Sequence, residues 1–266
     1  MATPPPSSLP RSSLYRVEAI VLRHRYLGEA DRLLTLYTRE HGKLRATVRA
    51  ARKITSRLGG HVEPLTHASL LLVRGRTLDS VTQAQALETF PNLRGDLLST
   101  ARGLHAAGLV DLFTEEQEPQ PALFDLLLDT LRRLDGTQHQ AGDSLLRAFE
   151  VQLLEAQGYR PVLDRCASCG GPAPGPSVAF GAAWGGILCD RCRAGQEGTR
   201  SLSPEALRYL LALQRRGFGA LSDSSLIAAA PWHEVEGLLR WYLSYLLERP
   251  LETATFLDAL RERAPS

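Results

Sequence analysis

Residues 166–192, CASCGGPAPGPSVAFGAAWGGILCDRC, hold all four cysteines of the 266-residue chain. Two Cys-x2-Cys pairs, Cys166/Cys169 and Cys189/Cys192, stand nineteen residues apart, a spacing used by tetrahedral four-thiolate zinc sites. Each pair can close a knuckle that aims two sulfurs at one ion, and Gly170, Gly171, Gly185 and Gly186 give the backbone freedom to do so. Two disulfides, a pair of redox-active dithiols, or a site that has lost its metal fit the same spacing. Four thiolates leave no open position for water or substrate. A zinc ion held this way is structural, folding a segment of about thirty residues too small to bury its own core.

Before the cysteines the chain is basic and strand-like; on both sides of them it is helical. From Arg11 to Arg57 there are twelve Lys/Arg against four Asp/Glu, a local excess of eight positive charges. Residues 81–266 carry seventeen Lys/Arg against twenty-three Asp/Glu, so the net charge of +2 conceals a polarised chain. Such polarity points to a polyanion as the partner of the first part. Residues 1–13, MATPPPSSLPRSS, lack the apolar core of a secretory signal and read as a flexible tail. No window has the length of a membrane span, which places the protein in the cytoplasm, where reduced thiols favour metal over disulfide.

Period-2 alternation predicts short strands from Tyr15 to about Leu87. Val17, Ala19 and Val21 alternate with Arg16, Glu18 and Ile20, and a turn over 27–31 leads to the apolar run 33–38. The third segment is the cleanest: Leu44, Ala46, Val48 and Ala50 share one face, Lys43, Arg45, Thr47 and Arg49 the other. A polar loop over Arg52–Gly60 precedes two further runs, 68–73 and 78–84, around a turn at Arg74-Gly75-Arg76. Five strands in about seventy residues fit a small barrel of the oligonucleotide-binding (OB) type. Helical periodicity follows at 97–113, from Pro121 to Asp135, from a cap at Asp143 or Ser144 to Gly158, from the Ser203-Pro204 start to Gly217, over 231–249, and from Thr253 or Thr255 onward.

The expected fold is therefore α+β and multidomain: an N-terminal five-stranded OB-fold barrel followed by an all-helical domain with an inserted four-cysteine zinc module. The boundaries read as 1–13 for the tail, 14–88 for the barrel, 89–160 and 201–266 for the two helical parts, and 161–200 for the zinc module.

Candidate metal ligands are Cys166, Cys169, Cys189 and Cys192. Candidate DNA contacts are Arg23, Arg25, Arg32, Arg39, Lys43, Arg45, Arg49, Arg52, Lys53 and Arg57, because Lys and Arg neutralise phosphates and release counterions. Tyr15, Tyr26 and Tyr37 either stack on bases or belong to the barrel core. Glu115, Glu116 and Glu118 read as a solvated loop rather than a catalytic pair, and His24, His41, His61 and His67 as barrel-surface or phosphate-facing residues. No P-loop, His-Glu-x-x-His or Gly-x-Ser-x-Gly pattern is present, so no enzyme is expected. The competing class is a zinc-ribbon adaptor whose main partner is a protein or RNA.

Several segments together resemble the bacterial RecO family of DNA repair proteins: 19–23 (AIVLR), 28–32 (GEADR), 41–43 (HGK), Arg52-Lys53 with 56–58 (SRL), 161–166 (PVLDRC), Cys169-Gly170, 185–189 (GGILC) and Cys192. They run over the chain in the family's order. The resemblance implies binding of single- and double-stranded DNA, strand annealing without catalytic turnover, and action with RecR to load the RecA recombinase onto DNA coated by single-stranded DNA-binding protein. It further implies a nucleoid-associated cytoplasmic protein, DNA contact at the barrel's Arg and Lys positions, and a structural Zn2+ on the four cysteines. Two positions depart from the family pattern: Ala50 replaces the usual glycine after the third strand, and Glu252 stands in a stretch that is often more basic.

Overall fold

The computed structural model describes residues 14–28, 31–49, 58–137, 141–172 and 178–263. The tail 1–13 and residues 50–57 lie outside the described residues. Two compact units divide the chain: one comprises residues up to Thr89 together with Glu115–Gln120, the other Phe90–Thr114 and the residues from Pro121 onward.

In the first unit, β1 (Leu14–Leu27), β2 (Asp31–Thr38), β3 (Gly42–Val48), β4 (His67–Val73) and β5 (Asp79–Glu88) close into a barrel in the order β1-β2-β3-β5-β4. All neighbours are antiparallel except β3 and β5. Alternation selects the interior: Val17, Ala19, Val21, Leu34, Leu36, Ala46, Val48, Leu70 and Leu72 are buried in one cluster. A register shift between Val21 and Arg23 bends β1, so that Leu14–Ile20 pairs with β4 while Ala19–Leu27 pairs with β2. This is the OB-like five-stranded barrel expected, with the fifth strand ending four residues beyond its apolar run.

The second unit contains α1 (Pro91–Gly95), α2 (Leu97–Phe113), α3 (Pro121–Asp135), α4 (Gly142–Ala156), β6 (Val178–Gly181), β7 (Gly186–Leu188), α5 (Asp190–Arg193), β8 (Thr199–Leu202), α6 (Pro204–Arg216), α7 (Ser224–Ala228), α8 (Trp232–Leu246) and α9 (Glu252–Arg263). Asp96 starts α2 by accepting the Ser99 N–H at 2.7 Å. The helix is apolar around most of its circumference and packs against α3, α4 and α9. Ser203 caps α6 and accepts the Ala206 N–H at 3.2 Å. Among the described residues no helix is long and apolar enough to cross a membrane.

Three features differ from the sequence expectation. The helical unit also holds a three-stranded sheet, β7-β6-β8, because residues 199–202 return to pair with β6 after the second cysteine knuckle. The helical stretch expected over 89–160 is interrupted, since Glu115–Gln120 belongs to the barrel unit. Asp143 does not cap α4: the helix starts at Gly142, and the carboxylate is bonded to Arg102 Nε at 2.9 Å and Arg261 Nη2 at 2.7 Å. These groups continue into a charged network inside the helical unit. Arg261 reaches Glu236 at 2.7 Å, and Arg147 reaches Glu150 at 3.0 Å. Glu150 also bonds to His105 Nε2 at 3.1 Å, and His105 Nδ1 lies 2.7 Å from Thr253 Oγ1.

Candidate metal centre and nucleic-acid interface

The first knuckle is a tight turn in which Gly170 N–H donates to the Cys166 carbonyl at 2.9 Å and Cys166 N–H to the Gly171 carbonyl at 2.9 Å. In the second, Cys189 caps the single turn of α5, which carries Cys192. Hairpin β6–β7 holds the knuckles together through Ala167 N–H to the Ile187 carbonyl at 2.8 Å, and through Val162, which exchanges bonds with Gly185 and Ile187. The four Sγ atoms lie within 4.8 Å of one another, and Cys169 Sγ is 3.8 Å from Cys189 Sγ.

That arrangement fits a metal ion. A Zn–S bond of about 2.3 Å puts tetrahedral sulfurs about 3.8 Å apart, whereas a disulfide requires about 2.05 Å. Electrostatics agree with the geometry. Burial pushes the Cys166 thiol up, but the N–H groups of Cys189, Cys169 and Ser168 outweigh it and hold the thiol at about 6. Cys192 is pushed up to about 11, first by its contact with Cys189. Four adjacent thiols resist full ionisation until a cation joins them. The module is also keyed into the helices: Phe180, between the two pairs in sequence, packs edge-on against Trp241 at 6.2 Å and Tyr242 at 5.2 Å.

The structure distributes the ten candidate DNA contacts unevenly. Cross-strand register aligns Arg23 with Thr35 and Thr35 with Arg45, so Arg23 and Arg45 share the outer face of β1–β2–β3. Arg25 and Lys43 have the same outward parity, and Arg49 follows β3 as an exposed residue. Arg25 and Arg49 form no ion pair among the described residues. Arg32 is different: it sits opposite the inward Val48 and is bonded to Glu63 at 2.7 Å. Arg39 is bonded to Glu18 at 3.3 Å. Arg52, Lys53 and Arg57 lie outside the described residues.

One feature of this face escaped the sequence reading. Residues 115–120 form a strap along β3, where Glu116 bridges Lys43, Gln117 N–H donates to the Lys43 carbonyl at 3.0 Å, and Glu116 Oε1 lies 2.6 Å from Arg45 Nε. Gly42, at φ +65°, admits the strap; a Cβ there would stand 2.1 Å from the Glu118 carbonyl oxygen. The three glutamates are exposed, as a solvated loop requires, but the loop is anchored: its backbone is bridged to β3 and Glu116 pairs with Arg45. Their only advance signal was Pro119 and Pro121, which halt a helix without saying where the chain goes.

The aromatic and histidine expectations divide similarly. Tyr37 is core, Tyr26 is 62% exposed, and Tyr15 is half-buried with its hydroxyl donating to Asp79. His67, expected on the surface or facing phosphate, is instead buried between Glu18 at 2.8 Å and Glu88 at 2.9 Å.

Comparison with known proteins matches both parts of the chain. The family model described as Recombination protein O N terminal matches residues 13–90, and that described as Recombination protein O C terminal matches residues 94–254. A DNA repair protein RecO of Roseiflexus sp. is 41% identical over 252 residues, covering 95% of this chain and 88% of that protein. One of Pelotomaculum thermopropionicum is 41% identical over 248 residues, covering 92% and 94%. One of Nocardioides sp. is 39% identical over 252 residues, covering 92% and 99%.

Proposed function

The chain belongs to the RecO family of DNA repair proteins, and from that membership we propose that it acts in recombinational repair by binding single- and double-stranded DNA and annealing complementary strands. With RecR, it would help load RecA onto DNA coated by single-stranded DNA-binding protein, in the cytoplasm at the nucleoid and without catalytic turnover. The observation that carries this reading is the outward row of cations on β1 and β3, with Arg23 and Arg45 aligned across Thr35.

Annealing requires two polyanions to approach each other. Cations on one face lower that repulsion without reading sequence, and base pairing then supplies the specificity. We place the contacts on Arg23, Arg25, Lys43, Arg45 and Arg49. Arg32 and Arg39 carry less weight because each is bonded to a carboxylate and less exposed than Arg45, which is also paired, with Glu116, but half-exposed on the outer face. We further propose that Cys166, Cys169, Cys189 and Cys192 hold a zinc ion, which fixes the knuckles and, through Phe180, steadies α8.

The test is anisotropy titration of a labelled single strand at several salt concentrations, comparing wild type with Arg45→Glu/Arg49→Glu. Wild-type affinity should fall with a log–log slope of about −0.7 per phosphate neutralised, and the folded double variant should bind several-fold more weakly. Equal affinity of the two proteins would overturn the assignment to β3. Annealing of complementary oligonucleotides by the purified protein separates this function from a zinc-ribbon adaptor, which need not anneal them.

A further inference from the structure

At one end of the barrel a cavity of about 380 Å³ opens between the β2–β3 turn, the β4–β5 loop and the strap. Its volume falls within the range of about 300–1,000 Å³ typical of small-molecule pockets. Tyr15, His41, Arg74, Arg76 and Gln117 line it, and Leu44, between Lys43 and Arg45 in sequence, adds an apolar surface. None of the cavity's arginines was among the expected DNA contacts.

The charges around it are unequally committed. Asp79 accepts the Tyr15 hydroxyl and the Gly75 N–H at 3.0 Å, and Glu40 accepts the Glu18 N–H at 3.3 Å. Both acids are thus occupied in holding the barrel and its loop. Arg76 has no hydrogen bond or ion pair among the described residues. Among the described residues Arg74 likewise has no hydrogen bond or ion pair; its guanidinium stacks 5.2 Å from the centre of the Tyr15 ring, and the His41 ring meets the same tyrosine in a T-shaped contact at 5.4 Å. The loop bearing both arginines is preset: a Cβ on Gly75 would lie 1.9 Å from the Leu78 carbonyl oxygen, so only glycine makes this turn.

From the two uncommitted guanidinium groups beside an aromatic pair, we propose that this cavity is a nucleotide subsite. It takes one phosphate of single-stranded DNA on Arg74 and Arg76, with the attached base turned inward against Arg74, His41 and Leu44. Guanidinium planes stack on bases as readily as on tyrosine, and Gln117 offers a hydrogen-bonding edge. A duplex cannot present an unstacked base, so the subsite favours single strands over double strands. This inference rests on the DNA-binding reading above and adds to it a residue-level source of strand preference.

The experiment compares Arg74→Gln/Arg76→Gln with wild type in full-length protein, using a labelled oligo-dT and a labelled duplex across a salt series. Both arginines are exposed, and circular dichroism checks the fold. Single-strand affinity should fall roughly five-fold or more, the lower end of what one stacked base contributes, and the salt slope should become shallower by about 0.7. Duplex affinity should stay within about two-fold. Equal losses for both DNAs would overturn the base pocket in favour of a general basic surface. No loss for either, while Arg45→Glu/Arg49→Glu weakens binding, would overturn the subsite and leave the proposed function standing; wild type failing to bind DNA would overturn both. A measurement free of any variant is the fluorescence of 2-aminopurine in the single strand, which should change at saturating wild-type protein; no change would refute base insertion. Free thymidine monophosphate displacing the oligonucleotide at equal concentration would assign the cavity to a free nucleotide instead.

Discussion

Replacing Glu116 by glutamine should strengthen single-strand binding, because the strap holds Arg45 with an anion where DNA would place a phosphate. Glu116 Oε1 lies 2.6 Å from Arg45 Nε, and the two side chains are 45% and 50% exposed. An ion pair so accessible to water is worth about 0.2–1 kcal/mol. If a phosphate must displace Glu116 before it engages Arg45, removing the carboxylate raises affinity by about 1.4- to 5-fold at low salt. The backbone bridge from Gln117 to Lys43 does not involve the substituted carboxylate, so the strap stays in place. The salt dependence should change as well. With glutamine at 116, Arg45 becomes a full phosphate site, and the log–log slope steepens by about 0.7. The control is Glu115→Gln, which removes the same charge from a residue with no ion pair among the described residues. Anisotropy titration of one labelled oligonucleotide from low to physiological salt reads both quantities. Identical small gains in the two variants would show that only overall charge matters, and the reasoning about Arg45 would then be refuted.

Three further outcomes are expected. Glu150→Gln removes a buried carboxylate bonded to Arg147 and His105, and breaking such a pair costs about 3–5 kcal/mol; thermal melts should show Tm lower by about 6–20 °C, and a shift under about 2 °C would contradict the network's role. Burial raises the Asp143 carboxyl, but Arg102 and Arg261 overcome this and hold it below its ordinary value of 3.8; its stabilisation is complete above that value and disappears as pH falls through the lower, folded one. The stability gap between wild type and Asp143→Asn should therefore narrow from about pH 6 to about pH 3, and a constant gap would be inconsistent with it. Chelation that demonstrably removes bound zinc should loosen the knuckles and alter the fluorescence of Trp241, which packs on Phe180, with a lower Tm; an unchanged melt after verified metal loss would exclude a folding role.

What the sequence made legible was whatever local period or cap chemistry dictates. The alternation of Leu44, Ala46 and Val48 with Lys43, Arg45 and Thr47 gave the two faces of β3, since a strand's side chains must alternate. Ser203-Pro204 announced α6, and the apolar run 97–113 coincides with α2. The cysteine spacing sufficed for the knuckles because their turns are local. Long-range choices were not legible. Nothing in His67 or its neighbours reveals that Glu18 and Glu88, both distant in sequence, enclose it. Asp143 has the composition of a cap, and only the approach of Arg102 and Arg261 diverts it. Strand β8 is four residues with little pattern of its own, and it exists because β6 offers it an edge. The strap was hidden for the same reason: Gln117 at φ 61° redirects the chain onto β3, a decision that tertiary contact makes.

The strap also means that the barrel is written in two separated passages of the gene. A chimera joining residues up to Thr89 of this chain to the remainder of a relative would receive a foreign 115–120 segment, while Gly42 would still await a backbone passing at the closeness of Glu118. Inheritance of the barrel is thus tied to a six-residue passage between two helices of the other unit. Exchange between relatives should preserve the barrel's packing only when both passages travel together.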